Sequence, residues 1–368
     1  MPHRVRASLA IAIAALVAAP LWAAEKPAEP AADLTAGMKK GTPELKSAGP
    51  LAFGPQGILF VGAPRGAAVF AVDTGDRSAP AADGRPKVEG INEKVASMLG
   101  VNSDDVRIND LAVNPVSHNT YLSVSRGAGP SGKPAILRVS PDGKLSELSL
   151  KGVKHARASI PNAAEGRGRQ EAITHLAYVK GRLLVAGLSN EEFASKLRAI
   201  PFPFKEVGKG ASVEIFHGSH GRLETRSPVR VFVPYRIKGE DHLLAAYTCT
   251  PLVKVPVSDL KPGSKVRGVT VAELGNRNRP LSMIVYNKGG KDYVLMANSS
   301  RGVMKIPLEG VDSIKGITTR VSDKAGLKYE TVAGLKGVQK LDAYGKDHAV
   351  VLVGTPGGAL NLQTVALP

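Results

Sequence analysis

The sequence predicts an all-β chain folded as a single β-propeller of six blades. Three observations carry this reading: a two-strand unit that recurs, strand-sized segments that make four per repeat, and chain ends that complement each other. The unit is a short apolar strand ending in small or polar residues, a turn, and a second alternating strand. Its six copies are Ile58 to Val72 (ILFVGAPRGAAVFAV), Tyr121 to Val139, Leu183 to Phe202, Leu243 to Val257, Val294 to Leu308 and Val350 to Val365. The last apolar residue before each turn (Val61, Val124, Ala186, Ala246, Ala297, Val353) recurs every ~50–60 residues, the spacing of propeller blades.

Each copy is preceded by another short apolar strand, as in DLAV from Asp110, HLAY from His175, MIVY from Met283 and KLDAY from Lys340. Turn residues such as Gly54-Pro55-Gln56-Gly57 and Asn287-Lys288-Gly289-Gly290 separate the two. A fourth strand follows most copies, for example Lys144 to Leu150 or Gly268 to Leu274. Copy six ends at Pro368 without one, so Thr42 to Ser47 is expected to close the last blade as an N-terminal strand and leave no open sheet edge. Seven blades is the alternative, with one concealed between copies two and three or three and four. Ile91 to Leu99 predicts one helix, with Ile91, Val95, Met98 and Leu99 on one face and Gly100 as its C-cap.

The N-terminus reads as a secretory signal over residues 1–24: Arg4 and Arg6, an apolar run from Ala7 to Leu21, then Ala23 and Ala24. Residues 25–46 read as a flexible Pro-, Ala- and Lys-rich lead-in, and 47–368 as the propeller. The expected address is the periplasm or the exterior, with no transmembrane segment after cleavage. The net charge of +17 falls to about +15 without the leader arginines. Export excludes nucleic acid, so the charge points to an anionic small molecule or an acidic periplasmic protein as partner. The lone Cys249 cannot form an internal disulfide.

The stretch Gly49-Pro50-Leu51-Ala52-Phe53-Gly54-Pro55-Gln56-Gly57-Ile58-Leu59-Phe60-Val61-Gly62 resembles the repeat of six-bladed propellers of the NHL, TolB-like and soluble quinoprotein dehydrogenase type. The match covers one blade in six and is structural. It implies the fold, and no catalytic motif of that group transfers residue by residue.

In a propeller, the segments leading into the inner strands and the turns of the repeated hairpins converge on the central mouth. Those places hold Arg65, Arg126, Tyr247, Asn298 and Arg301 in the turns, and Arg107, Asp110, Arg169, Glu171, His175, Arg279 and Lys340 in the leading segments. Guanidinium groups bind carboxylate or phosphate bidentately, so Arg65, Arg126, Arg169, Arg279 and Arg301, with Asn298 and Tyr247, are the expected anion ligands. His175 and Asp110 are the catalytic candidates. Cys249, His175 and Asp110 form the metal candidate set, with Asn298 within reach, and suit copper or another divalent ion. The group that the repeat resembles implies a quinone cofactor. His217 and His220 have ligand-like spacing in FHGSHG, though the glycines read as a surface turn.

G-x-S-x-G, P-loop and H-E-x-x-H motifs are absent. Three functions remain: a binding module with an arginine-rich mouth, an oxidoreductase with a quinone or metal at the same place, and a scaffold for a periplasmic complex using rim loops such as Asn190 to Gly210.

Overall fold

Alternate residues of one strand face opposite neighbours, and this builds the architecture. In Lys291–Asn298, Val294 and Met296 pack with one adjoining sheet while Leu295 and Ala297 pack with the other, and all four are fully buried. Such a strand buries both faces, so each sheet must be sandwiched between two others. Six sheets obeying this rule close into a ring.

The computed structural model describes residues 32–80, 83–127, 132–249 and 251–368. The segment expected to be a secretory signal, residues 1–24, lies outside them. The propeller unit runs from Leu34 to Pro368, so it begins within the segment expected to be a flexible lead-in. Its six sheets start with the inner strands Leu51–Phe53, Val106–Val113, His175–Val179, Val231–Ile237, Pro280–Lys288 and Val338–Tyr344, which define blades 1 to 6. Within every blade the first three strands are antiparallel and consecutive. Six blades, rather than seven, account for all the sheets among the described residues. Among those residues no helix is long and apolar enough to cross a membrane.

The order of blades around the ring differs from their order in the chain. Buried clusters join blade 1 to blade 3, 3 to 4, 4 to 5, 5 to 6, 6 to 2, and 2 back to 1. Blade 2 is inserted between the third and fourth strands of blade 1. The chain leaves Ala68–Asp73, contributes Lys87–Val88 to the edge of blade 6, and builds blade 2. It then returns as Val153–Ser159, which pairs with Ala68–Val72 as the fourth strand of blade 1. Asp76 anchors the departure point, accepting hydrogen bonds from Ser117 Oγ (2.7 Å), Asn119 Nδ2 (2.9 Å) and Tyr121 Oη (2.9 Å) of blade 2. Burial raises the Asp76 pKa, but these donors outweigh it and hold the carboxyl below its usual range.

The last blade is closed by a strand from the N-terminal part of the chain, as expected, but that strand is Lys87–Val88 and not Thr42 to Ser47. Lys39–Gly41 pairs instead with Val153–His155 at the edge of blade 1. The following segment crosses the propeller face, fixed where Arg65 Nε donates to the Lys46 carbonyl (2.7 Å) and Arg65 N donates to Ser47 Oγ (3.1 Å). The helix Ile91–Leu99 forms as predicted, capped by Gly100 in the left-handed region (φ 65°). It packs Ile91, Val95 and Leu99 between blades 6 and 2. Met98 is 42% exposed, because Ala96 rather than Met98 completes the buried face. About a third of the expected rim insert Asn190 to Gly210 is sheet, since Ser195–Pro201 is the third strand of blade 3.

Candidate functional site

All six inner strands end around one central cavity of about 1350 Å3. Its wall includes Ser47 to Pro50 and Arg65 of blade 1, Asp104 to Asp110 of blade 2 and Gln170, Glu171 and His175 of blade 3. Arg230 of blade 4, Arg279 and Asn298 to Ser300 of blade 5, and Lys336 to Lys340 of blade 6 complete it. Both the leading segments and the hairpin turns contribute, which is the convergence the repeat predicts.

The charged groups fall into two kinds. Some are locked in pairs: Lys340 Nζ lies 3.1 Å from Asp110 Oδ1, and Arg230 donates to Glu171 Oε1 at 2.5 Å and to Thr248 Oγ1 at 3.1 Å. Asp110 Oδ2 also accepts the Leu51 backbone N–H (3.0 Å), so this carboxylate joins blades 1, 2 and 6. By contrast, Arg107 and Arg279 form no ion pair among the described residues, although both line the cavity. Partial burial and the neighbouring charges of Arg230 and Arg107 lower the Arg279 pKa, with Glu171 opposing. Three guanidinium groups from blades 2, 4 and 5 therefore line one space, whose wall also carries Asp104, Asp105, Asp110 and Glu171.

His175 stands on the same wall beside Phe232, at 4.9 Å between ring centres. Its Nδ1 is shut off from solvent and has no hydrogen-bond partner among the described residues. Burial lowers its pKa to about 4, so the ring is neutral at pH 7. Behind the wall, Asp342 of blade 6 accepts the backbone N–H groups of Val113 and Ala343, both at 2.8 Å. Desolvation nonetheless raises its carboxyl to about 6.

The sequence-predicted residues divide accordingly. Arg65, Asp110, His175, Arg279 and Asn298 line the cavity. Arg65 is engaged by the Lys46 carbonyl, and Asn298 caps its own turn by accepting from Ser300 N (3.1 Å) and Arg301 N (3.2 Å). Arg126, Arg169, Arg301 and Tyr247 are not wall residues. Arg126 ends its strand on the rim, and Arg169 lies 3.9 Å from Glu165. Arg301 folds over Gly275, donating to the Asn276 carbonyl (3.2 Å) and reaching Asp323 (3.4 Å). Tyr247 is buried between blades 3 and 4, where desolvation pushes its hydroxyl pKa up. Cys249 sits in the blade 4 hairpin turn at φ 60°, with its N–H donating to the Asn278 carbonyl (2.8 Å). The structure thus brings His175 and Asp110 to one cavity and leaves Cys249 off its wall.

Sequence reasoning misses Arg230 on the wall and Asp342 behind it. Arg230 has a readable signal: it stands directly before the apolar run Val231-Phe232-Val233, the position that places Arg279 before Pro280.

No protein-family profile matches the chain, and no curated protein matches it. Among solved structures it is similar, at 14% identity, to the PQQ-bound aldose sugar dehydrogenase of Streptomyces coelicolor, over 89% of this chain and 96% of that one, with a TM-score of 0.29. It is similar, at 13% identity, to a glucose dehydrogenase-type oxidoreductase from Thermus thermophilus, over 89% and 99%, with a TM-score of 0.30. Likeness to the extracellular region of plexin A4 is 10% identity over 89% and 47%, with a TM-score of 0.39. The chemistry of the mouth rests on its own residues.

Proposed function

We propose that this is an exported binding protein whose central mouth takes a small polyanion carrying two or more carboxylate or phosphate groups. One observation carries the reading: Arg107 and Arg279 face the cavity without ion-pair partners among the described residues, next to an Arg230 that shares Glu171. Like charges gathered at a concave mouth repel one another, and an anion relieves that repulsion while accepting bidentate hydrogen bonds. A ligand with separated anionic groups would bridge guanidinium groups from blades 2, 4 and 5.

The test is calorimetric titration of the full mature chain with citrate and with pyrophosphate. Arg279→Ala and Arg107→Ala should each weaken the better ligand about tenfold or more, equivalent to about 1.4 kcal/mol. Equal affinity in wild type and both variants would remove the reading. The proposed periplasmic location is tested separately by cell fractionation.

A second reading, a quinone-dependent oxidoreductase, is favoured by His175, a neutral imidazole on the cavity wall. The residues fit such a group in part. Arg107, Arg230 and Arg279 would hold its carboxylates, and His175 would stand ready to accept a proton. The quinone would supply the two-electron acceptor. For a copper or other divalent ion at the mouth the fit is poor, since Asp110 and Glu171 are each held by a cation and Cys249 is off the wall. A quinone absorption band in protein purified from its own host would place this reading first.

A further inference from the structure

A second group of residues, away from the cavity wall, carries an inference of its own. The hairpin between Ala211–His217 and Arg222–Glu224, at the outer edge of blade 3, gathers His217, His220 and Glu224. One ligand atom from each lies within 4.8 Å of the others. His217 Nδ1 is 3.1 Å from Glu224 Oε2, and His220 Nδ1 is 2.6 Å from Glu224 Oε1. The two imidazole rings are 3.9 Å apart between centres.

The packing beneath is more telling. Glu273, on the blade 4 strand Val269–Leu274, is 1% exposed and accepts the Gly218 N–H at 2.5 Å through Oε1. Its Oε2 has no hydrogen-bond partner among the described residues, and neither has His217 Nε2 nor Ser219 Oγ. His217 is itself 2% exposed. Buried polar atoms are nearly always satisfied, and with the His217 proton on Nδ1 toward Glu224 the Nε2 atom has none to offer the neighbouring Glu273. The charges agree: among the described residues, Glu224 and Glu273 meet only Arg222 as a fixed cation, at 3.6 Å from Glu224 and largely exposed. A carboxylate buried without a counter-cation is costly.

We propose that this hairpin is a binding site for a divalent transition ion of the zinc type, held by His217, His220 and Glu224. Two imidazoles and a carboxylate form a familiar zinc donor set and leave a fourth position open. On binding, the ion takes the place of the ring protons that bridge Nδ1 to Glu224, and each neutral ring moves its single proton, through solvent, to Nε2. Glu273 is the neighbouring carboxylate available to accept that proton from His217, the outer-shell arrangement that orients metal-bound histidines. Through the His217 proton offered to Glu273, the ion would also steady the blade 3 hairpin against blade 4, where the Gly218 carbonyl already accepts from Val321 N (3.0 Å).

The experiment is calorimetric titration of the chelator-treated full chain with zinc chloride, with thermal unfolding measured alongside. One ion should bind per chain and raise the melting temperature. His220→Ala and Glu224→Gln should each weaken binding by at least about a hundredfold and abolish the thermal shift. His220 is exposed, so its variant keeps the fold. His175→Ala should bind zinc as wild type does. No saturable binding, or undiminished binding in both hairpin variants, overturns the proposal.

Discussion

Lys340 Nζ lies 3.1 Å from Asp110 Oδ1, while Asp110 Oδ2 holds the backbone N–H of Leu51 at 3.0 Å. One inner-strand carboxylate thereby ties together blades 6, 2 and 1, the three blades whose ring order departs from the chain order. Other inner strands are stitched by the same device. Asp342 takes the Val113 N–H, Thr174 Oγ1 donates to the Val229 carbonyl (2.6 Å), and Ser282 Oγ donates to that of Leu341 (2.8 Å). Propeller inner strands do not share a ladder with their neighbours, so side chains supply the hydrogen bonds between blades. Asp110, a catalytic candidate from sequence, also serves in this structure as a clamp.

Asp110→Ala should therefore cost stability. It leaves the Leu51 N–H and the Lys340 ammonium without their partner, and losing hydrogen bonds to a charged group of this kind removes about 2–3 kcal/mol. Asp110→Asn can still accept from Leu51 and should lose less. Urea unfolding of the two variants measures both. If Asp110→Ala unfolds at the wild-type urea concentration, the clamp is not a stabilising contact.

His175 and Asp342 set opposing pH dependences. His175 has a folded pKa of about 4 against 6.5 for the free group, so between those values the unfolded chain binds more protons and stability rises with pH. Asp342 has a folded pKa of about 6 against 3.8, so between those values the folded chain binds more protons and stability falls as pH rises. The wild type should be nearly flat from pH 4 to 6. Asp342→Asn should uncover the histidine's own slope and gain up to about 3 kcal/mol across that interval, an upper limit because the His175 side chain is only partly buried on the cavity wall. His175→Phe should show the reverse slope. Urea midpoints at pH 4, 5 and 6 decide it, and parallel profiles for all three proteins would refute the opposition.

Arg301 and Arg279 are two arginines of blade 5 with different work. Arg301 folds over Gly275, which has φ 111° and no room for a side chain: a Cβ there would stand 2.4 Å from the guanidinium. Arg301→Ala should leave anion affinity at the mouth unchanged and cost about 1 kcal/mol through its partly exposed pairing with Asp323. Arg279→Ala should do the opposite. Paired titration and unfolding of the two variants separate the roles, and a loss of anion affinity in Arg301→Ala would return it to the mouth.

The blades were legible because alternation and turn residues are local signals: Val294 to Leu308 reads as a hairpin without knowledge of its neighbours. The arginine mouth was legible in part, since the hairpin turns place Arg65 correctly and the leading segments place Arg279 correctly. It fails for Arg301, where a glycine three-dimensionally adjacent but distant in sequence lets the side chain turn away. The order of the ring was illegible. Lys87–Val88 is a two-residue strand with no pattern, and Val153–Ser159 alternates like any edge strand, so nothing local names its partner. The cluster at Glu224 was half legible. The His217 and His220 spacing is visible, but Glu224 and Glu273 join it only through a turn and a neighbouring blade.

The insertion of blade 2 makes Val153–Ser159 the strand that completes blade 1 after a long excursion. It pairs on one side with Ala68–Val72 and on the other, near its start, with Lys39–Gly41. Ala156 faces Ala71 at its centre, where proline would remove a ladder hydrogen bond and impose a kink. Ala156→Pro should cost about 3 kcal/mol or more. Because blades 1 and 2 share the buried cluster of Leu59, Val61, Phe70 and Tyr121, the damage should reach both. Native-state hydrogen exchange checks this: amides of Ile58–Ala63 and of Thr120–Arg126 should lose protection together in the variant. Loss confined to Val153–Ser159 would show that the returning strand is an edge ornament and that blade 1 holds without it.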